Sequence, residues 1–170
     1  MRTLRLVVEK WATFAEITGE AAAALIGLLF VAVSIRVNVI AASKELRNRA
    51  AQALSLFFTV LLVAVVLAIP DQAYGVLGGE LIAIAVTLVA VLFVLDRRAR
   101  SGTEAASSQP VAQILEAVSP NGITSALLLA SGVTVALGGH AGLYILIAPV
   151  TAALGGGVVS AWLLLTKVTE

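Results

Sequence analysis

Residues 117–166 read AVSPNGITSALLLASGVTVALGGHAGLYILIAPVTAALGGGVVSAWLLLT, fifty positions in which His140 is the only acidic, basic or histidine side chain. A hydrocarbon core about 30 Å thick is crossed by roughly 20 helical residues, so this stretch is too long for one crossing. The cluster Gly138-Gly139-His140-Ala141-Gly142 interrupts it with residues that favour turns. The reading is a tight hairpin joining a span at 122–137 to another at 143–165. One span plus a re-entrant segment over 122–165 is the alternative.

Towards the N-terminus the same criterion finds three more spans: 17–35, interrupted by Glu20; 51–69, closed by Pro70; and 74–95, carrying Glu80. Composition agrees. Hydrophobic residues are 60% and charged residues 12% of 170, and mean hydropathy is +1.05. Soluble domains run at roughly 45–50% apolar and about 25% charged; one of this size would expose large sticky patches. The expected fold is all-α, a polytopic integral membrane helical bundle of about five transmembrane helices forming one domain. Residues 3–15 mix Leu4, Leu6, Val7, Trp11 and Phe14 with charges, which suits an N-terminal interfacial helix anchored by Trp11. A polar linker is expected over 96–110, then a short surface helix over 111–118. The charged start offers no apolar run of signal-peptide length before Ala21, so a cleavable leader is not expected.

Basic residues cluster in two loops. Arg36, Lys44, Arg47 and Arg49 follow the first span, and Arg97, Arg98 and Arg100 follow the third, while 70–73 and 138–142 contain no Lys or Arg. The positive-inside rule puts both basic loops in the cytoplasm, with the N-terminus outside and the C-terminus inside. Arg2, Arg5 and Lys10 count against that orientation.

Polar residues inside the spans carry what functional signal there is. Glu16, Gly19, Glu20, Ala23, Gly27 and Ser34 form one stripe at helical spacing, with Leu25, Leu28, Leu29 and Ile35 opposite and suited to lipid. Gly75, Gly79, Ala83, Thr87 and Ala90 make a second small-residue ridge beside Glu80, and Ala148, Ala152, Gly156 and Ser160 a third. Such stripes let membrane helices approach closely. Packing is therefore assigned to Gly19, Ala23, Gly27, Gly75, Gly79, Ala83, Ala152 and Gly156. Pro149 should kink the last span, and Gly155-Gly156-Gly157 marks either close packing or a hinge. An ionised carboxylate facing lipid costs several kcal/mol, so Glu16, Glu20, Glu80 and His140, with Asp71, are candidates for an ion pathway on the outer side. The plainer reading makes them ordinary interfacial residues.

Much chemistry is excluded. The chain has no cysteine and one histidine, which removes disulfides, thiolate–metal sites, bis-histidine haem and three-histidine metal sites. Gly-x-Ser-x-Gly, phosphate-loop and HExxH motifs are absent. No enzyme activity, metal or cofactor is expected. Formal net charge is +1 and gives no sign of a nucleic-acid partner. The expected partners are membrane lipid and either further copies of the chain or another membrane protein.

The segment WATFAEITGEAAAALIGLLFVAVSI and the later AVVLAIPDQ, together spanning about residues 11–70, resemble a family of small bacterial membrane proteins, some labelled modulator of FtsH protease. The resemblance implies a multi-span inner-membrane protein with an accessory or regulatory role, and defines no functional residues. The two readings carried forward are a homo-oligomeric cation or proton channel or transporter using embedded carboxylates, and such an accessory subunit.

Overall fold

The computed structural model describes residues 2–35, 37–100, 120–139 and 141–167. Among them are six helices: α1 (Arg2–Ile35), α2 (Val37–Ala42), α3 (Lys44–Leu67), α4 (Tyr74–Arg100), α5 (Pro120–Ala136) and α6 (Ala141–Lys167). Four contain stretches long and apolar enough to cross a membrane, at Trp11–Ile35, Leu46–Leu67, Tyr74–Arg97 and Ala141–Trp162; Gly122–Ala136 is a shorter apolar helix. The 17 residues of α5 measure about 25 Å at 1.5 Å per residue.

Local chemistry sets the breaks. Ser43 adopts an extended backbone and its hydroxyl accepts a hydrogen bond from the Leu46 N–H, capping α3. At the far end Pro70 cannot continue a helix, and the chain reverses through Asp71, whose φ is 53°. Pro120 opens α5, where its missing N–H costs nothing. After Ala136 the chain turns through Gly138, φ 79°, with its N–H on the Val135 carbonyl and that of Gly139 on Thr134. This left-handed C-terminal stop suits glycine. The Ser131 hydroxyl then donates to the Gly142 carbonyl at 2.7 Å, locking α5 and α6 into a hairpin where the glycine cluster implied one.

Helices α3, α4, α5 and α6 form a ring in which each packs on two neighbours, and α1 lies outside it, mainly against α3. A Cβ on Gly78 would run into the Ala136 backbone, and one on Gly132 would come within 3.0 Å of the Ile82 nitrogen. Those two crossings show α4 and α5 antiparallel and nearly touching. On one side of α3, Leu56, Val60 and Val63 join Leu81, Ala85, Leu128, Leu146 and Val150. On another, Ala53 and Phe57 meet Leu29 of α1 and Ile40 of α2. Large apolar side chains also cover the outside, among them Leu28, Phe30, Phe58, Val86 and Val159, as lipid contact requires. Many hydroxyls, such as Thr18, Ser55, Thr59 and Thr87, donate to a carbonyl one turn earlier, which satisfies them without water.

Several expectations are corrected. Residues 3–15 are not a separate interfacial helix but the start of one continuous α1; no Gly or Pro precedes Gly19 to break it. Leu25 and Leu29, assigned to lipid, pack on α3 instead, because Phe57 and Ala53 offer them a stepped surface; Leu28 and Ile35 do face outward. Residues 96–100 prolong α4 rather than opening the linker. Residues 101–119, holding the rest of that linker and the expected surface helix, fall outside the described residues, as does His140.

Candidate functional site

Over residues 11–35 of α1 the buried positions are Ala15, Ala22 and Leu29, two successive steps of seven that mark the seam against α3. Glu16 and Glu20 are each one residue beyond that seam or its intermediate turn, rotated about 100° away from it. Both are exposed, as are Ala23 and Gly27. A Cβ at Gly27 would meet nothing within 4 Å, whereas one at Gly19 would sit 3.1 Å from the Ala64 Cβ. The predicted stripe thus splits: Gly19 faces α3, while the two glutamates, Ala23 and Gly27 form an open outward strip. Trp11 stacks edge-on against Phe14 and Tyr144, so the third turn of α1 lies beside the first turn of α6.

The second ridge behaves similarly. Gly75, Gly79, Ala83, Thr87 and Ala90 are exposed on α4, with open space at both glycines. Glu80 is half-buried beside them and accepts a hydrogen bond from the Gln72 amide. That bond ties the 68–73 turn to the second turn of α4. The other amide atom of Gln72, Oε1, is buried with no hydrogen-bond partner among the described residues. Asp71 is exposed.

On α6, Ala152 and Gly156 are half-buried, and a Cβ at Gly156 would stand 3.9 Å from Leu56. The tight approach is one residue on: Gly157 lies flat against the Phe57 ring. Helix α6 continues through Pro149, which is buried.

The carboxylates do not gather within one chain. Glu16 and Glu20 lie on the free side of α1, Glu80 lies on α4, and those two helices are not packing partners. Among the described residues no three acidic or histidine side chains come together as a metal ion would need. Inside the ring the buried polar residues are Thr59, Thr124, Ser125 and Ser131; among the described residues, none of the buried residues carries a charge.

Residue-by-residue reading of the spans missed the close approaches at Gly78, Gly132 and Gly142, and the Gln72–Glu80 bond, whereas the Gly155–Gly157 run, read as close packing or a hinge, does pack closely at Gly157. The available signal was register. Gly78 falls in the series 78, 81, 85, 88 with Leu81, Ala85 and Leu88, the buried face of α4, while Gly75 and Gly79 align with exposed residues.

No protein-family description, curated protein or solved structure matches the chain. The long apolar helices and apolar exterior make it a multi-span membrane protein.

Proposed function

We propose that the chain assembles with copies of itself through the outward strip of α1, and that Glu20, with Glu16 one turn away, carries a proton or cation across the boundary between copies. The observation that carries this reading is the position of Glu20: exposed, nine residues beyond Trp11 and hence about 14 Å further along the helix. An ionisable side chain at such depth is costly against lipid and belongs against protein or a water-filled path. The chain's own interior offers no charged route among the described residues, so a path would run between chains. The open space at Gly27 leaves room for a neighbouring helix to come close. In this reading all five apolar helices cross the inner membrane, with the N-terminus outside and the basic loops in the cytoplasm.

One observation favours the accessory-subunit reading instead. Glu80 is engaged with Gln72, so of the candidate carboxylates it has a structural use within the chain. The same outward strip would then receive a helix of another membrane protein, such as a membrane protease.

The test is proton and cation flux in liposomes holding purified protein, compared with Glu20→Gln and Glu16→Gln, alongside the oligomeric state of Gly27→Leu. Flux that falls in the glutamate variants, and assemblies that dissociate in Gly27→Leu, support the proposal. A monomeric wild type with no flux between pH 5 and 8 would refute it.

A further inference from the structure

Where α1, α2 and α3 meet there is a groove of about 270 Å³, walled by Phe30 and Val33 of α1, Ile40 of α2 and Ala51 and Leu54 of α3, with Arg47 as the one charged lining residue among the described residues. Arg47 lies in the first turn of α3 and Leu54 seven residues on, so the groove runs about 10 Å from the guanidinium into the apolar span. Nη1 of Arg47 donates to the Ala41 carbonyl at 3.3 Å, which steers the exposed side chain over the end of α2. A guanidinium has five N–H donors, so this single bond leaves its planar fork able to engage a phosphate in two-point fashion.

We propose that this groove seats one acyl chain of an anionic phospholipid, with the lipid phosphate on Arg47. Three observations select that occupant. Sequence 36–49 carries Arg36, Lys44, Arg47 and Arg49 against the single acid Glu45, so this stretch of the chain is net positive, which suits a negative headgroup. Apart from Arg47 the lining is apolar among the described residues, which a free phosphate would not need. A cavity of roughly 150 Å³ accommodates a benzene-sized molecule; about twice that volume fits a length of acyl chain, whereas a packing helix is about 10 Å across and does not fit. The inference is independent of whether copies assemble, and of which leaflet the basic end occupies.

The experiment is native mass spectrometry of the full chain titrated with phosphatidylglycerol or phosphatidylcholine of identical acyl chains, with glycerol 3-phosphate as a chainless competitor. Wild type should bind one phosphatidylglycerol with about tenfold preference, the scale of one charge-assisted contact. Arg47→Gln should lose that preference, and Ala51→Phe, which fills the groove, should lose the bound lipid. Arg97→Gln serves as a control. Its side chain stacks over Phe93 outside the groove but at the same end of the molecule, where Asn48 bonds the Leu95 carbonyl; it should behave as wild type. Equal binding of the two lipids, displacement by glycerol 3-phosphate, or equal losses in Arg47→Gln and Arg97→Gln would overturn the proposal. Should Ala51→Phe fail to fold, Arg47→Gln alone decides, because its side chain is on the surface.

Discussion

Gly78 and Gly79 are neighbours in sequence with opposite surroundings, and an alanine at each should act in opposite directions. At Gly78 the added methyl would overlap the backbone nitrogen and Cα of Ala136, so two helices must separate rather than one side chain rotate. Overpacking of this kind costs about 1–3 kcal/mol, and a clash with backbone belongs at the upper end. Alanine returns about 0.8–1 kcal/mol of helix propensity, leaving Gly78→Ala destabilised by about 2 kcal/mol. At Gly79 nothing lies within 4 Å, so Gly79→Ala keeps the propensity gain alone, up to about 1 kcal/mol. For a chain of this size each kcal/mol moves the melting temperature by about 2–4 °C. Gly78→Ala should therefore melt about 4–8 °C below wild type and Gly79→Ala at or slightly above it. Thermal unfolding of the monomeric, detergent-solubilised protein measures both. Shifts of the same sign, or a Gly78→Ala variant as stable as wild type, would show that α4 and α5 do not meet at this crossing.

Reporter fusions test the number of crossings: one after Glu170 should read cytoplasmic and one at Gly139 external, and a shared location would rule out five spans. Gln72→Leu should lower the melting temperature, since it strips the Glu80 carboxylate of its donor at a cost of about 1–3 kcal/mol. Glu80→Gln should be neutral or stabilising, because an amide oxygen still accepts that bond and no ionisable group remains. A Glu80→Gln variant as unstable as Gln72→Leu would contradict the assignment.

The sequence was most legible where the medium dictates the answer. Charge-free runs located an apolar helix at each expected span, though α1 and α3 begin about four and two turns earlier than those runs, and the glycine cluster at 138–142 marked the α5–α6 hairpin, because bilayer thickness and backbone hydrogen bonding leave the chain few options. Which side of each helix faces inward was far less legible. Lipid and core are both apolar, so Leu29 packed on α3 and Leu28 facing outward look alike in sequence. The small-residue stripes were assigned to contacts, yet Gly27, Gly75 and Gly79 are open at the chain's surface. Glu16, Glu20 and Glu80 were singled out by type; their separation onto two helices that do not pack together depends on the order of helices around the ring, for which no short motif codes.

That order also has a consequence for time. The ring closes where α6 reaches back to α3, with Gly157 laid against Phe57, a hundred residues later in the chain. At a synthesis rate of about 5–20 residues per second, α3 waits roughly 5–20 s in the membrane before its last neighbour is made. Helix α1 is already present and takes the other flank of α3, so a two-helix pair can hold α3 upright from the outset. The face destined for α6 stays against lipid meanwhile, and a ribosome pause between α5 and α6 would lengthen that exposure more than a pause anywhere before α3.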